Sequence, residues 1–78
     1  MDSRVDQELR NIFEAKLKIT DYSNDLSMLN TQRWDSLAHV GLILEIEKRF
    51  SIRISTADAI EMVSVRAIRE ILKEHGLN

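Results

Sequence analysis

Apolar residues recur at three- and four-residue spacing along the first part of the chain. This pattern predicts an amphipathic helix from about Ser3 to Lys18. Its inward side would consist of Val5, Leu9, Ile12, Phe13 and Leu17. Ser3 suits the capping position, and Asp6 three residues later completes a weak form of the capping box. The chain is therefore expected to begin with a helix that buries one side.

Residues 20–33 are rich in Thr, Asp, Ser, Asn and Gln, which indicates a long loop. Four apolar residues interrupt the loop: Tyr22, Leu26, Met28 and Leu29. A loop of this length is unusual in a small domain unless it is functional or packed down. We therefore expect these four side chains to hold the loop against the core.

The most apolar segment of the chain predicts a second helix that begins at Asp35 or Ser36 and ends near Phe50. Its apolar residues cover a broad arc of the helical wheel, made of Leu37, Val40, Ile43, Leu44, Ile46 and Phe50. The narrow remaining arc holds Gly41, Glu45 and two basic residues. A helix with this pattern should be enclosed on most sides, and we expect the other helices to pack around it.

The last third of the chain predicts an extended connection and two more helices. Residues 51–55 alternate polar and apolar, but a lone strand has no partner for its backbone. An extended connection that buries Ile52 and Ile54 is therefore the better interpretation. Ser55 would cap a short helix that runs through about Met62, and Ser64 would cap a final helix. That final helix should bury Val65, Ile68, Ile71 and Leu72.

Composition agrees with an all-α fold, because the 78 residues include no Pro and only two Gly. We predict one domain over residues 1–78, folded as a small four-helix bundle with three longer helices and one short one. Gly76 suits the position just after the last helix, and His75 suits the negative end of its dipole.

Charge and cysteine content exclude several classes of function. Eleven Lys and Arg residues oppose 13 Asp and Glu in a scattered pattern, so the chain has no basic stripe for nucleic acid. It has no Cys, which excludes disulfides and thiolate metal sites, so thiol chemistry would require an attached cofactor. The polar N-terminus and the lack of a long apolar run predict a cytoplasmic protein without membrane association.

The serine at the start of the second helix is the strongest candidate for chemistry. Because Ser and Asp are preferred helix caps, Asp35 and Ser36 could do no more than begin the helix. His39 shares a helix face with Ser36, but nothing in the sequence suggests an orienting group or an oxyanion hole. We therefore expect no catalysis by the chain itself, and we treat His39 as a candidate for partner recognition.

A wider pattern surrounds this serine. Asp35-Ser36-Leu37 begins an apolar helix with roughly 35 residues before it and about 40 after it. With Leu42, residues 45–50 (EIEKRF), the isoleucine-rich connection and residues 65–68 (VRAI), the chain resembles the acyl carrier protein family over essentially its whole length. The resemblance implies that Ser36 bears 4′-phosphopantetheine from coenzyme A. Asp35 and Leu37 would help to present Ser36 to a phosphopantetheinyl transferase.

By the same resemblance, the chain would be a free-standing, monomeric carrier that holds acyl or aminoacyl groups as thioesters. A loading ligase and downstream acyl-processing enzymes of a fatty acid, polyketide or related pathway would be its partners. The surface expected to bind them comprises Trp34, Ala38, His39, Gly41, Glu45 and Glu47.

The resemblance also implies that an acyl chain can enter between the helices. The aliphatic interior expected to admit it comprises Leu37, Val40, Leu44, Met62, Ile68 and Ile71.

The chain departs from the family in its charge pattern. Carriers of bulk fatty acid synthesis usually present acidic residues along the exposed face of this helix, where Ala38 and Gly41 stand here. The Gly-Gly that often precedes the serine of peptidyl carriers is also missing. A specialised acyl carrier is therefore the first interpretation. An aminoacyl carrier of the D-alanyl type, or a helical protein-interaction module in which Ser36 is only a cap, is the alternative.

Overall fold

The fold is built from four helices, which a computed structural model of residues 4–77 describes. They are α1 (Arg4–Leu17), α2 (Ser36–Phe50), α3 (Thr56–Glu61) and α4 (Val65–Glu74). These bounds confirm a small all-α bundle with three longer helices and one short one. The predicted cap at Ser3 lies outside the described residues.

The first helix buries the side that its sequence pattern predicts. All five apolar residues of that side are buried, namely Val5, Leu9, Ile12, Phe13 and Leu17. The helix ends at Leu17, one residue before the predicted end, because Lys18 adopts a left-handed backbone conformation with φ 57°. The chain then turns away into the long loop.

The second helix spans the predicted residues, but it is not enclosed on most sides as predicted. Leu42, Ile43 and Ile46 are buried. In contrast, Leu37 is 82% exposed, Val40 57% and Leu44 59%. The part of the predicted aliphatic interior that rested on those three residues is therefore wrong, whereas its other members, Met62, Ile68 and Ile71, are buried.

The lengths of the helices explain this exposure. At a rise of 1.5 Å per residue, α2 is about 22 Å long, whereas α3 extends only about 9 Å. The six residues of α3 cannot cover the side of α2 that α1 leaves open. A helical wheel records only the order of side chains and contains no information about the length of the neighbouring helix.

The long loop is held to the core by three of its four apolar residues. Leu26 is buried, and Tyr22 and Met28 are half-buried against the core. The Met28 N–H donates to the carbonyl oxygen of Val63 at 2.9 Å, and this contact joins the loop to the segment before α4. Leu29 is 100% exposed, so its predicted role in the core is wrong. It lies in a turn closed by the Asn30 N–H, which donates to the Ser27 carbonyl, and the tip of a turn has no neighbour to cover it.

Local capping interactions set the starts of α3 and α4, as predicted. The Ser55 hydroxyl accepts from the Asp58 N–H and the Ser64 hydroxyl accepts from the Ala67 N–H, each at 3.0 Å. Gly76 follows α4 with φ 85°, which a residue without Cβ adopts at little cost. Residues 51–55 form no strand, and Ile52 and Ile54 are half-buried, which confirms the extended connection.

Two leucines of α2 allow a matched test of this packing. We expect Leu42→Ala to lower the free energy of unfolding by about 2 to 5 kcal/mol, since the side chain is fully buried. Leu37→Ala removes the same atoms from an exposed position and should change stability by no more than about 0.5 kcal/mol. Urea denaturation followed by circular dichroism measures both. Equal losses in the two variants would contradict the observed orientation of α2.

The ionisation of Tyr22 at high pH reports on the attachment of the loop to the core. Its ring centroid lies 5.3 Å from that of Phe13, and the Arg10 guanidinium lies 5.3 Å from the Tyr22 ring centroid. Burial raises the pKa of Tyr22 to about 12 from 10.0, and the nearby Asp6 carboxylate adds to the increase. Because the folded state binds this proton more tightly than the unfolded state, the stabilisation is complete below pH 10.

We therefore expect the fold to lose stability as the pH rises from about 10 to about 12. Tyr22 is the only tyrosine of the chain, so tyrosinate absorbance reports its titration directly. Tyr22→Phe is the control and should show a smaller loss of stability over the same pH range, which urea denaturation measures. A tyrosinate titration at the ordinary pKa would contradict the burial.

Candidate functional site

The start of α2 is capped by Asp35. This residue has extended backbone angles, φ −97° and ψ −175°, as a residue just before a helix should. Its Oδ1 accepts from the Ala38 N–H at 2.8 Å, and its carbonyl oxygen accepts from the His39 N–H at 2.8 Å. Asp35 alone therefore supplies the capping interaction that the sequence could have assigned to Asp35 or Ser36.

Ser36 is the first residue of α2, and its side chain is exposed. Within residues 4–77 its hydroxyl makes no hydrogen bond, so the cap does not require it. The first N–H groups of a helix have no acceptor inside the helix, and the helix dipole is positive at this end. The first turn of α2 contains no acidic residue. The local geometry therefore suits an anion attached to the Ser36 oxygen.

Trp34 is buried with 1% of its surface exposed, so its predicted place on a partner-binding surface is wrong. Its indole packs edge-on against Phe13 of α1, with ring centroids 5.0 Å apart. Because Asp35 is the cap, Trp34 and His39 occupy the two positions of a hydrophobic staple, and their rings lie 6.0 Å apart. This five-residue spacing is a sequence signal for a core position of Trp34, which the apolar character of its side chain also favours.

Both ring nitrogens of the half-buried His39 have partners. The Trp34 Nε1–H donates to His39 Nδ1 at 3.0 Å, and His39 Nε2 lies 2.8 Å from the carbonyl oxygen of Ala59 in α3. An indole N–H only donates and a carbonyl only accepts, so both contacts are satisfied by the tautomer with its proton on Nε2. The Nδ1 lone pair is occupied by Trp34, and neither nitrogen is free to act as a base towards Ser36.

An apolar surface lies beside Ser36. It consists of the exposed α2 residues Leu37, Val40 and Leu44; Ile60 of α3 and Val63, which follows α3, are exposed as well. A cleft of about 150 Å³ between α2 and α3 adjoins it, lined by His39, Val40, Ile43, Leu44 and Ala59. Sequence reasoning missed Ile60, although a single large apolar residue in so short a helix has little chance of burial.

The acidic residues predicted to contact partners are engaged within the chain. Glu45 pairs with Arg49 at 3.0 Å and with Lys16 at 3.7 Å, and the hydrogen bond from Arg49 lowers the pKa of Glu45. Arg49 also pairs with Glu8 of α1 at 2.8 Å. Glu47 Oε2 accepts from the Ile54 N–H at 2.8 Å and holds the connection after α2. These carboxylates stabilise the packing of α2 and are poorly placed to attract a basic partner.

The remaining predicted surface residues, Ala38 and Gly41, are both half-buried. A Cβ added to Gly41 would meet no atom within 4 Å, so the fold does not require glycine there. Among residues 4–77 there is no group of three or more His, Cys, Asp or Glu residues that could hold a metal ion. Nor does any helix of this range combine the length and hydrophobicity needed to cross a bilayer.

Comparison with known proteins adds no assignment. No protein-family model matches the chain, and no curated protein matches it. The case for function therefore depends on the geometry at the start of α2 and on the resemblance carried by its residues.

The division of roles between Asp35 and Ser36 predicts two different effects on stability. Asp35→Ala removes the cap and should lower the free energy of unfolding by about 1 kcal/mol. Ser36→Ala should change it by no more than about 0.5 kcal/mol, because the hydroxyl makes no contact that the fold needs. Thermal or urea denaturation of the two variants measures the difference. A larger loss in Ser36→Ala would return the serine to a capping role.

Proposed function

We propose that this protein is an acyl carrier that bears 4′-phosphopantetheine on Ser36 and presents thioester-bound intermediates to partner enzymes. The observation that carries the proposal is the Ser36 hydroxyl, which is exposed at the positive end of the central helix. Asp35 caps this helix, so the Ser36 hydroxyl is not needed as a cap. A serine that served only to begin the helix would have its oxygen bonded to a backbone N–H. The resemblance of Asp35-Ser36-Leu37 and its surroundings to acyl carrier proteins supports the same reading.

The chemistry of attachment requires little of this chain. The Ser36 oxygen would attack the pyrophosphate of coenzyme A, and a phosphodiester would form as the bond to the adenosine bisphosphate half breaks. The transferase would remove the hydroxyl proton, since His39 is not free to do so. Backbone N–H groups of the first turn and the helix dipole would stabilise the phosphodiester charge. The attached group supplies the thiol that a chain without Cys lacks.

The apolar surface next to Ser36 supports recognition by partners. Leu37 stands one residue from the attachment point and exposes most of its side chain. Val40 and Leu44 extend this surface along α2. Since Glu45 and Glu47 are engaged inside the chain, partner enzymes would dock mainly through apolar contacts. Such contacts bury little area and dissociate readily, as a carrier shared among several enzymes requires.

The same surface favours a second candidate, a helical protein-interaction module that uses the exposed side of α2 without any modification. Exposed apolar residues gathered on one side of a small protein commonly mark a binding site. This candidate leaves the unbonded hydroxyl of Ser36 without a role, so it ranks below the carrier. The cargo of the carrier, acyl or aminoacyl, is not determined by these contacts.

Intact mass spectrometry tests the proposal. After incubation with coenzyme A and a broad-specificity phosphopantetheinyl transferase, we expect the protein to gain the mass of one phosphopantetheine. Ser36→Ala should gain nothing, whereas Ser23→Ala, which alters an exposed serine of the loop, should be modified like the unaltered protein. An unchanged mass in a protein that circular dichroism shows to be folded would reject the carrier and favour the interaction module.

A further inference from the structure

Helix α3 is the element least anchored by burial. None of its six residues is buried, and a helix of this length has no stability of its own. Ile60 turns 69% of its surface to solvent. The buried Met62 fixes the chain only after the helix has ended. Ala59 packs partly against the core, and polar contacts from neighbouring elements also help to hold α3 in place.

Both histidines of the chain contact α3, each from a different side. His39 of α2 bonds through Nε2 to the carbonyl oxygen of Ala59 at 2.8 Å. His75, which follows α4, has its Nε2 3.9 Å from Asp58 Oδ2. The short helix thus lies between two imidazoles, one on the α2 side and one on the α4 side.

The two contacts depend on protons in opposite ways. His39 fits its site only when Nδ1 is unprotonated, because that nitrogen accepts from the Trp34 N–H at 3.0 Å. A proton on Nδ1 would place two donors against each other. Trp34 is buried against Phe13, so its indole has no room to move. The imidazole of His39 must therefore move instead, and its Nε2 then separates from the Ala59 carbonyl oxygen. His75, in contrast, attracts Asp58 only when it is protonated.

We propose that α3 is a pH-sensitive element that protonation of His39 releases from α2. In acid it loses the bond between His39 and Ala59 and gains the charged contact between His75 and Asp58. Histidine side chains ordinarily change protonation between about pH 5 and 8, which sets the pH range for the test. The structural consequence of the release is a wider cleft between α2 and α3, where His39 and Ala59 form opposite walls.

The charged groups around these histidines do not supply a substitute for the lost bond. The other residues that line the cleft are Val40, Ile43, Leu44 and Ala59, none of which is ionisable. On the segment before α2, the nearest acid in sequence is Asp35, whose Oδ1 is bonded to the Ala38 N–H.

The acids of α3 are Asp58, which faces His75, and Glu61, which is exposed. On α4, Lys73 and Glu74 directly precede His75, carry opposite charges and are both exposed. A protonated His39 therefore has no carboxylate in its cleft, which favours its movement towards water.

Nuclear magnetic resonance of the unmodified protein between pH 8 and 5 tests the inference. We expect the Trp34 indole N–H resonance to shift in acid and its hydrogen exchange, relative to the intrinsic rate, to rise at least about tenfold. The Ala59 and Met62 amides, which donate within and just after α3, should exchange faster in the same pH range. The experiment requires no cofactor, so its outcome is independent of the proposed carrier function.

Two variants separate the histidines. Gln at position 39 offers both a donor and an acceptor but does not titrate, so His39→Gln should abolish the acid shift of Trp34. His75→Gln should keep that shift and should increase exchange in α3 further, because the compensating pair with Asp58 is lost. A Trp34 resonance that stays unchanged from pH 8 to 5, or that shifts equally in His39→Gln, would overturn the inference.

Discussion

The length of α2 exceeds what the other helices of residues 4–77 cover, and this constraint determines where the described part of the molecule is exposed. Burial of Leu42 and Ile46 against the other helices holds the bundle together. Within residues 4–77, the helix that faces the opposite side of α2 across a cleft is α3, which has six residues. The uncovered part is continuous with Ser36, so the exposed apolar surface and the exposed hydroxyl have a common physical origin.

Trp34 fixes the position of that hydroxyl. The indole is packed against Phe13 of α1, and its N–H is bonded to His39 one turn into α2. The buried side chain two residues before Ser36 thus anchors the helix start from both sides. Asp35 then caps the helix, and among residues 4–77 the exposed Ser36 hydroxyl has no hydrogen-bond partner. A rigid base with a free hydroxyl is what an attachment point for a flexible arm needs.

Features set by neighbouring residues could be predicted from the sequence. The caps at Ser55 and Ser64 and the left-handed Gly76 follow from side-chain oxygens and a missing Cβ within a few residues. The buried side of α1 also follows, because a pattern with a clear polar side has only one way to pack.

Features set by distant residues could not be predicted in this way. The broad apolar arc of α2 did not reveal that Leu37, Val40 and Leu44 would lack a covering helix. Likewise, the pairing of Glu45 with Lys16 of α1 depends on tertiary contacts, as does the bond between His39 and Ala59. The sequence thus located the candidate site through Ser36, but the contacts of the residues around it could be identified only from the structure.

The most direct test of the central claim is the mass of the Ser36 peptide from protein purified out of the cells that naturally make it. The account predicts that this peptide carries one phosphopantetheine, alone or with a thioester-bound group, and that fragmentation places it on the Ser36 oxygen. A Ser36 peptide that is entirely unmodified, from protein recovered intact, would contradict the account.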